Sequence, residues 1–289
     1  MPAIRLPARA GVAYHADIDR VFAMIIAATH TEAAPSRFAR MTADGHRVWR
    51  SVYFGPAPSP DSSASLAAPS GRIYVDPAPG ERREPQAFLV EQEAGAVVHP
   101  HFHFVDQFQV VVAGGGSLGR HAVAPISVHF AAACTGYGPI QPGAQGLSYF
   151  TFRASADDTG AQYLPAAGHR MRPLPKRNVI VEPITLNGAQ SLAARVDCVT
   201  ERVLEKGDGL AVYVLRLAPG KVMVAPDAAH GDGVSMLVAA GQILRDGISY
   251  SAWSCLYVSR EERSISLKAG SSGAEVLVMR YPLPKAAGT

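Results

Sequence analysis

His101 and His103 stand two residues apart in the stretch GAVVHPHFHFVDQFQVVVAGGG, residues 95–116. Successive side chains of a β-strand alternate between its faces, so residues i and i+2 share a face, about 6–7 Å apart along the chain. Two neutral imidazoles so placed can close on one ion, and imidazole nitrogen suits zinc, iron, copper, nickel and manganese alike. Gln107 falls where the chain has turned back, so its side chain can reach the space that the histidines face. The apolar run Phe108 to Ala113 predicts the next strand, broken by a turn at Gly114-Gly115-Gly116. A strand, turn, strand unit carrying His101, His103 and Gln107 is therefore the candidate metal site.

The spacing is more specific than a bare His-x-His. Gly95, His101, His103, Gln107 and Gly114 resemble the first signature motif of the cupin superfamily, with Gln107 where the family has Glu. The second cupin motif would fall on Ile126 to Gln141. There Ala132, Cys134, Tyr137 and Gln141 occupy the marked positions, so its spacing survives while its residue identities do not. The resemblance implies double-stranded β-helix (jelly-roll) barrels, a divalent metal ion (Fe, Ni, Mn, Cu or Zn) and a small oxygen-chelating substrate, with dioxygenase-like chemistry foremost. A cupin isomerase or lyase, with or without metal, and a barrel that only binds a small ligand are the alternatives it leaves open.

The departures from the family pattern carry their own chemistry. Replacing Glu by Gln107 removes a negative charge, which predicts weaker metal retention and a preference for anionic or enolisable oxygen ligands that complete the shell. Tyr137 stands where the family has its third histidine; a neutral phenol, ordinarily titrating near pH 10, is a poor ligand but can donate a hydrogen bond to a substrate. His129, on the expected strand Ile126 to Phe130, has the parity to point into the same interior as a third ligand, or else is a hydrogen-bonded core residue. Tyr137 and His129 are thus the candidates for orienting substrate or moving a proton. His99 reads as pocket rim and His121 lies near the turn after Gly119. Asp106 has the parity to face away, and Gln109 that to lie deeper inside, where a buried amide needs partners.

The elements that must position these side chains are short. Apolar runs at Ile73–Val75, Phe88–Val90, Phe108–Val112, Ile126–Phe130 and Leu147–Phe152 are separated by Gly and Pro, which indicates an all-β chain. The second half repeats the first at an offset of 127 residues: Gly114 matches Gly241, Gly143 Gly270, Gly146 Gly273 and Arg153 Arg280. Two tandem cupin barrels follow, the first over 81–156 and the second over 178–289, with a crossover at 157–177. Residues 1–80 supply a short N-terminal helix, strands and a Pro/Ser-rich loop packed on the barrels. Ile18, Val21, Phe22, Ile25 and Ile26 fall on one helical face behind Asp17, His46–Gly55 predicts a strand, and Gly55–Gly71 a surface loop. At the same offset His101 maps to Ala228, His103 to His230 and Gln107 to Val234. The second barrel is therefore expected to be structural, and the pocket to lie within 85–153.

Composition sets outer bounds. With 289 residues the chain can bury two medium cores. A formal charge of +3 without a basic cluster argues against a nucleic-acid or anionic-membrane partner. Cys134, Cys198 and Cys255 are too scattered for a disulfide framework, which suits a reducing, cytoplasmic setting. No secretory leader pattern or run long enough to span a bilayer is apparent. The resemblance to cupins leaves oligomeric state open, with a homodimer that covers exposed strand edges as one candidate.

Overall fold

A computed structural model describes residues 24–42, 44–57, 73–78, 81–262 and 264–284. The strands, in chain order, are β1 (Ile25–Ala28), β2 (Phe38–Met41), β3 (Arg47–Phe54), β4 (Gln86–Gln92), β5 (His101–Phe102) and β6 (Gln107–Leu118). They continue with β7 (His121–Val123), β8 (Val128–Ala131), β9 (Ile140–Arg153), β10 (Gln162–Tyr163), β11 (Asn178–Val181) and β12 (Val199–Glu205). The last are β13 (Ala211–Leu217), β14 (Val222–Val224), β15 (Val234–Arg245), β16 (Ile248–Ser251), β17 (Cys255–Val258) and β18 (Ser266–Arg280). All pairings are antiparallel. One eight-stranded sheet runs β11-β8-β6-β9-β4-β3-β2 with β7 on β6, a second runs β1-β17-β15-β18-β13-β12 with β16 on β15 and β14 on β18, and β5 pairs with β10 in a sheet of two strands.

The two eight-stranded sheets are copies of one plan. Strand β6 corresponds end for end to β15, and β8 to β17, each displaced by 127 residues. Even the irregularities repeat. Gly114 and Gly241 adopt φ of 68° and 69°, and a Cβ at either would lie 2.2 or 2.1 Å from the carbonyl oxygen of Gly146 or Gly273. Only glycine permits that left-handed turn of the backbone beside a neighbouring chain. The long strands therefore run through Gly114–Gly116 with a register shift, where the glycine run alone predicted a break.

Alternation of side chains builds two cores from one set of strands. In the first barrel Arg50, Val90, Tyr149 and Val111 are cross-strand partners in turn, as are Phe88, Thr151, Gln109 and His129, so all point to one face. That face is the barrel interior. The opposite face presents Leu89, Phe108, Val110, Phe130, Phe150 and Phe152 to Val212, Val214, Leu237, Leu277, Met279 and Tyr281 of the second barrel, in one apolar cluster. Because both faces are buried, these strands read as unbroken apolar runs. The interior of the second barrel is closed by Tyr213, Met236, Val238, Leu256, Val276 and Val278, all apolar.

Several expectations are corrected. Ile25 and Ile26 lie in β1, not in a helix, and pair with Val258 and Tyr257. The helical face expected from Ile18 to Phe22 lies outside the described residues, as does most of the 55–71 loop. The short N-terminal helix is His30–Ala33, where Thr29 and Glu32 form a capping box. Ile73–Val75 is not a strand: Ile73 is 83% exposed, and Tyr74 alone packs, stacked on Phe104. Strands β2 and β3 belong to the first sheet itself, and β11 joins that sheet through β8 although it lies beyond residue 177. Strand β1 conversely completes the second sheet, so the barrels exchange edge strands across the boundaries that the repeat suggested.

Candidate functional site

The polar residues of the first barrel converge on one cavity. His101, on β5, and His103, just after it, have ring centroids 5.3 Å apart. Their Nδ1 atoms are both tied down outside the cavity. His101 Nδ1 is 2.7 Å from the carbonyl oxygen of His99, and His103 Nδ1 is 3.2 Å from Asp157 Oδ2. Each acceptor demands a proton on Nδ1, which leaves Nε2 of both rings as an unprotonated lone pair. Burial and the neighbouring positive groups hold the rings neutral: His101 is pushed down to about 3, chiefly by burial and then by His103. His103 is pushed down to about 4, chiefly by burial and then by Arg153, against the opposing pull of Asp157.

Asp157 is fully buried and was hidden in the crossover segment. It accepts from the backbone N–H of Phe104 at 3.2 Å and from the Thr159 backbone N–H at 2.9 Å and hydroxyl at 2.5 Å. Burial alone would raise its carboxyl; the hydrogen bond from His103, the charge of Arg153 and Thr159 together hold it below the usual carboxylate range. The segment 157–163 is therefore part of the site. Tyr163 in β10 pairs with His101 across a two-residue ladder, and Gly160, Ala161 and Tyr163 wall the cavity.

Gln107 does reach this cavity, but both ends of its amide are engaged. Its Oε1 accepts from Arg153 Nη2 at 3.0 Å and Nε at 3.3 Å, while Nε2 donates to the Tyr137 hydroxyl. Arg153 Nη1 donates to Gln86 Oε1 at 2.7 Å, completing a buried fork between two amides. Tyr137 is held beside His101 by paired backbone hydrogen bonds of 3.0 Å, with ring centroids 4.5 Å apart. Burial raises its phenol, so it stays protonated.

His129 lies on the inner face as its parity requires, yet outside the polar cavity. Its Nδ1 is 2.9 Å from the Gln109 side-chain amide and its Nε2 3.2 Å from Asn178 Oδ1 on β11, so both nitrogens are occupied. Gln109 thereby finds its partner, and Asp106 faces away, accepting from Ala133 N–H at 2.7 Å. His99 is exposed, and His230 sits exposed at the end of a single 3-10 turn.

Arg50 is the other residue that sequence reading passed over. It projects from β3 into the cavity, and its guanidinium carbon lies 5.7 Å from the Phe88 ring centroid, while that of Arg153 lies 5.6 Å from it. The alternation of Val48, Arg50 and Val52 held the signal, although the faces of β3 could not be assigned without its partners. Among the described residues no three His, Cys, Asp or Glu side chains converge as a metal-binding group. What the donor set does fit is an ion held on two imidazole nitrogens, each oriented from behind by an acceptor, with the rest of its shell supplied by a ligand.

No protein-family model and no curated protein matches the sequence. The comparison with solved structures bears on the fold alone. The chain is similar to the bacterial pirin YhhW of Escherichia coli, solved in complex with nickel(II), at 15% identity over 90% of this chain and 100% of that one, with a TM-score of 0.50. It is also similar to a candidate dioxygenase from Nostoc punctiforme, at 12% identity over 91% of this chain and 81% of that one, with a TM-score of 0.52. No helix among the described residues is long and apolar enough to cross a membrane.

Proposed function

We propose that the first barrel is a metal-dependent cupin site acting on a small oxygen-rich molecule, with dioxygenase-like chemistry, and that His101 and His103 hold the ion through Nε2. The observation that carries this reading is the pair of anchored Nδ1 atoms, His101 on a carbonyl and His103 on Asp157, which present two lone pairs together. A bound divalent ion would act there as a Lewis acid on a substrate oxygen. The chain's own residues do the rest. Asp157 fixes the tautomer and orientation of His103. Tyr137, protonated beside His101, is placed to donate a hydrogen bond to substrate. Arg153 holds Gln107 in place; the Gln107 oxygen joins the shell only by leaving Arg153. Tyr163 and the 160–161 turn close the cavity over the histidines. His129 supports the wall through Gln109 and Asn178.

A metal-free pocket is the second reading, and the commitment of Gln107 to Arg153 favours it. Elemental analysis of untagged protein, purified without chelators, separates the two. Near one equivalent of a transition metal, lost in a His101→Ala, His103→Ala double variant, is the expected result. Neither protein holding metal, even after reconstitution with nickel, iron or manganese, would overturn the metal-dependent reading. Oxygen uptake on supply of substrate then distinguishes a dioxygenase from an isomerase, a lyase or a binding protein.

A further inference from the structure

Arg50, partly exposed, brings its guanidinium into the cavity beside the Phe88 ring. Its Nε is buried without a hydrogen-bond acceptor, and no carboxylate forms an ion pair with it among the described residues. The nearest charge-bearing neighbours are unhelpful. Arg153 is a second guanidinium on the other side of Phe88, and partly buried Arg40 adds a further positive charge. The phenols of Tyr137, Tyr149 and Tyr163 that face it are all raised by burial and so stay neutral. The one buried carboxylate nearby, Asp157, spends its oxygens on His103, Phe104 and Thr159. A guanidinium does not lose its proton to relieve burial, and a buried N–H without an acceptor is costly to keep. Arg153 shows the alternative, since its fork is saturated by Gln86 and Gln107.

The cavity around Arg50 also has a neighbour of opposite character. Gln109 and Tyr149 line both it and a smaller adjoining space walled by Val111, Leu118, Val123, Ile140, Leu147 and Ile180. A planar anion on Arg50 would have its apolar body directed towards side chains of this kind, while its second oxygen stays on the side of His101 and His103. We propose that Arg50 is the anion-binding residue of the first barrel and that it selects small monocarboxylates with a compact apolar body. This rests on the reading of the first barrel as the ligand site, though not on the presence of metal.

The test uses the full chain, stripped of metal, with two probes of nearly equal shape: benzoate, which is charged, and benzamide, which is not. Isothermal titration and thermal unfolding are read together for wild type, Arg50→Met and Arg50→Lys. Benzoate is expected to bind wild type at least about ten-fold more tightly than benzamide, as a charge-assisted hydrogen bond requires. Arg50→Met is expected to lose that preference, and without ligand to unfold a few degrees higher, on the order of 2–4 °C, because a buried N–H without an acceptor has gone. Arg50→Lys, which keeps the charge but not the fork, is expected to fall between them, and it serves if the methionine variant does not fold. Equal binding of benzoate and benzamide, no binding of benzoate at millimolar concentration, or unchanged benzoate affinity in both variants would overturn the assignment. Displacement of benzoate by an equal concentration of sulfate would overturn the selectivity for carboxylates. Metal content is measured separately, so loss of the metal-dependent reading leaves each of these arms intact.

Discussion

Individual side chains in the first barrel are shaped by what lies behind them. His101 and His103 are positioned by acceptors that the His-x-His spacing does not reveal, one a backbone carbonyl two residues away and one a carboxylate 54 residues on. Gln107 is a neutral amide that both Arg153 and Tyr137 use. His129 shows how burial alone becomes a pH dependence. Burial pushes its imidazole down to about 4, with the Asn178 hydrogen bond opposing. The unfolded chain takes up a proton near pH 6.5 that the folded chain refuses, so this residue's stabilisation is complete above that pH and is lost as pH falls towards 4. Between pH 7 and pH 5 the loss assignable to His129 is expected to be roughly 2 kcal/mol. Urea unfolding of wild type and His129→Gln at both pH values measures it, and an equal pH dependence in the two proteins would reject the assignment.

Strands and turns carry the duplication more faithfully than the site does. The matched glycines Gly114 and Gly241 sit in the same left-handed bulge of β6 and β15, each against the carbonyl of another matched glycine, Gly146 or Gly273. Gly114→Ala and Gly241→Ala are therefore expected to destabilise the protein alike, each by more than about 2 kcal/mol, from backbone strain and the close approach of the new methyl group. Denaturant midpoints compare them directly; a harmless substitution at either position would show that the bulge can relax. Elements outside the repeat are what made the barrels differ. The 157–163 turn and β10 bring Asp157 and Tyr163 to the first cavity, and the second barrel fills the equivalent interior with Val234, Met236 and Leu256.

At the scale of the whole molecule the two barrels share one apolar layer and trade edge strands. Phe108 packs on Tyr281 with centroids 5.1 Å apart, and Phe150 packs on Trp253 at 6.4 Å, so aromatic contacts cross the layer in two places. Each fully buried side chain of this kind contributes about 1.5–3 kcal/mol. Neither barrel keeps a complete sheet or a covered outer face without the other. Calorimetry is accordingly expected to give a single cooperative transition in which both barrels unfold together. Two resolved transitions would show that the shared layer does not couple them.

The order of residues was sufficient to determine the all-β class, the internal duplication and the pair of histidines, because each is a matter of local alternation or fixed spacing. It also placed His129 on the inner face, since parity along a strand follows from the pleat. It could not decide which acceptors would orient the imidazoles, that Gln107 would be claimed by Arg153, or that Arg50 Nε would be buried with no acceptor among the described residues. Those are contacts between strands distant in sequence, created by register and barrel closure. The helix expected at Ile25 and Ile26 failed for the same reason. An apolar stretch of that length suits a helix face and a strand equally, and only the open edge of β17 in the other barrel selected the strand.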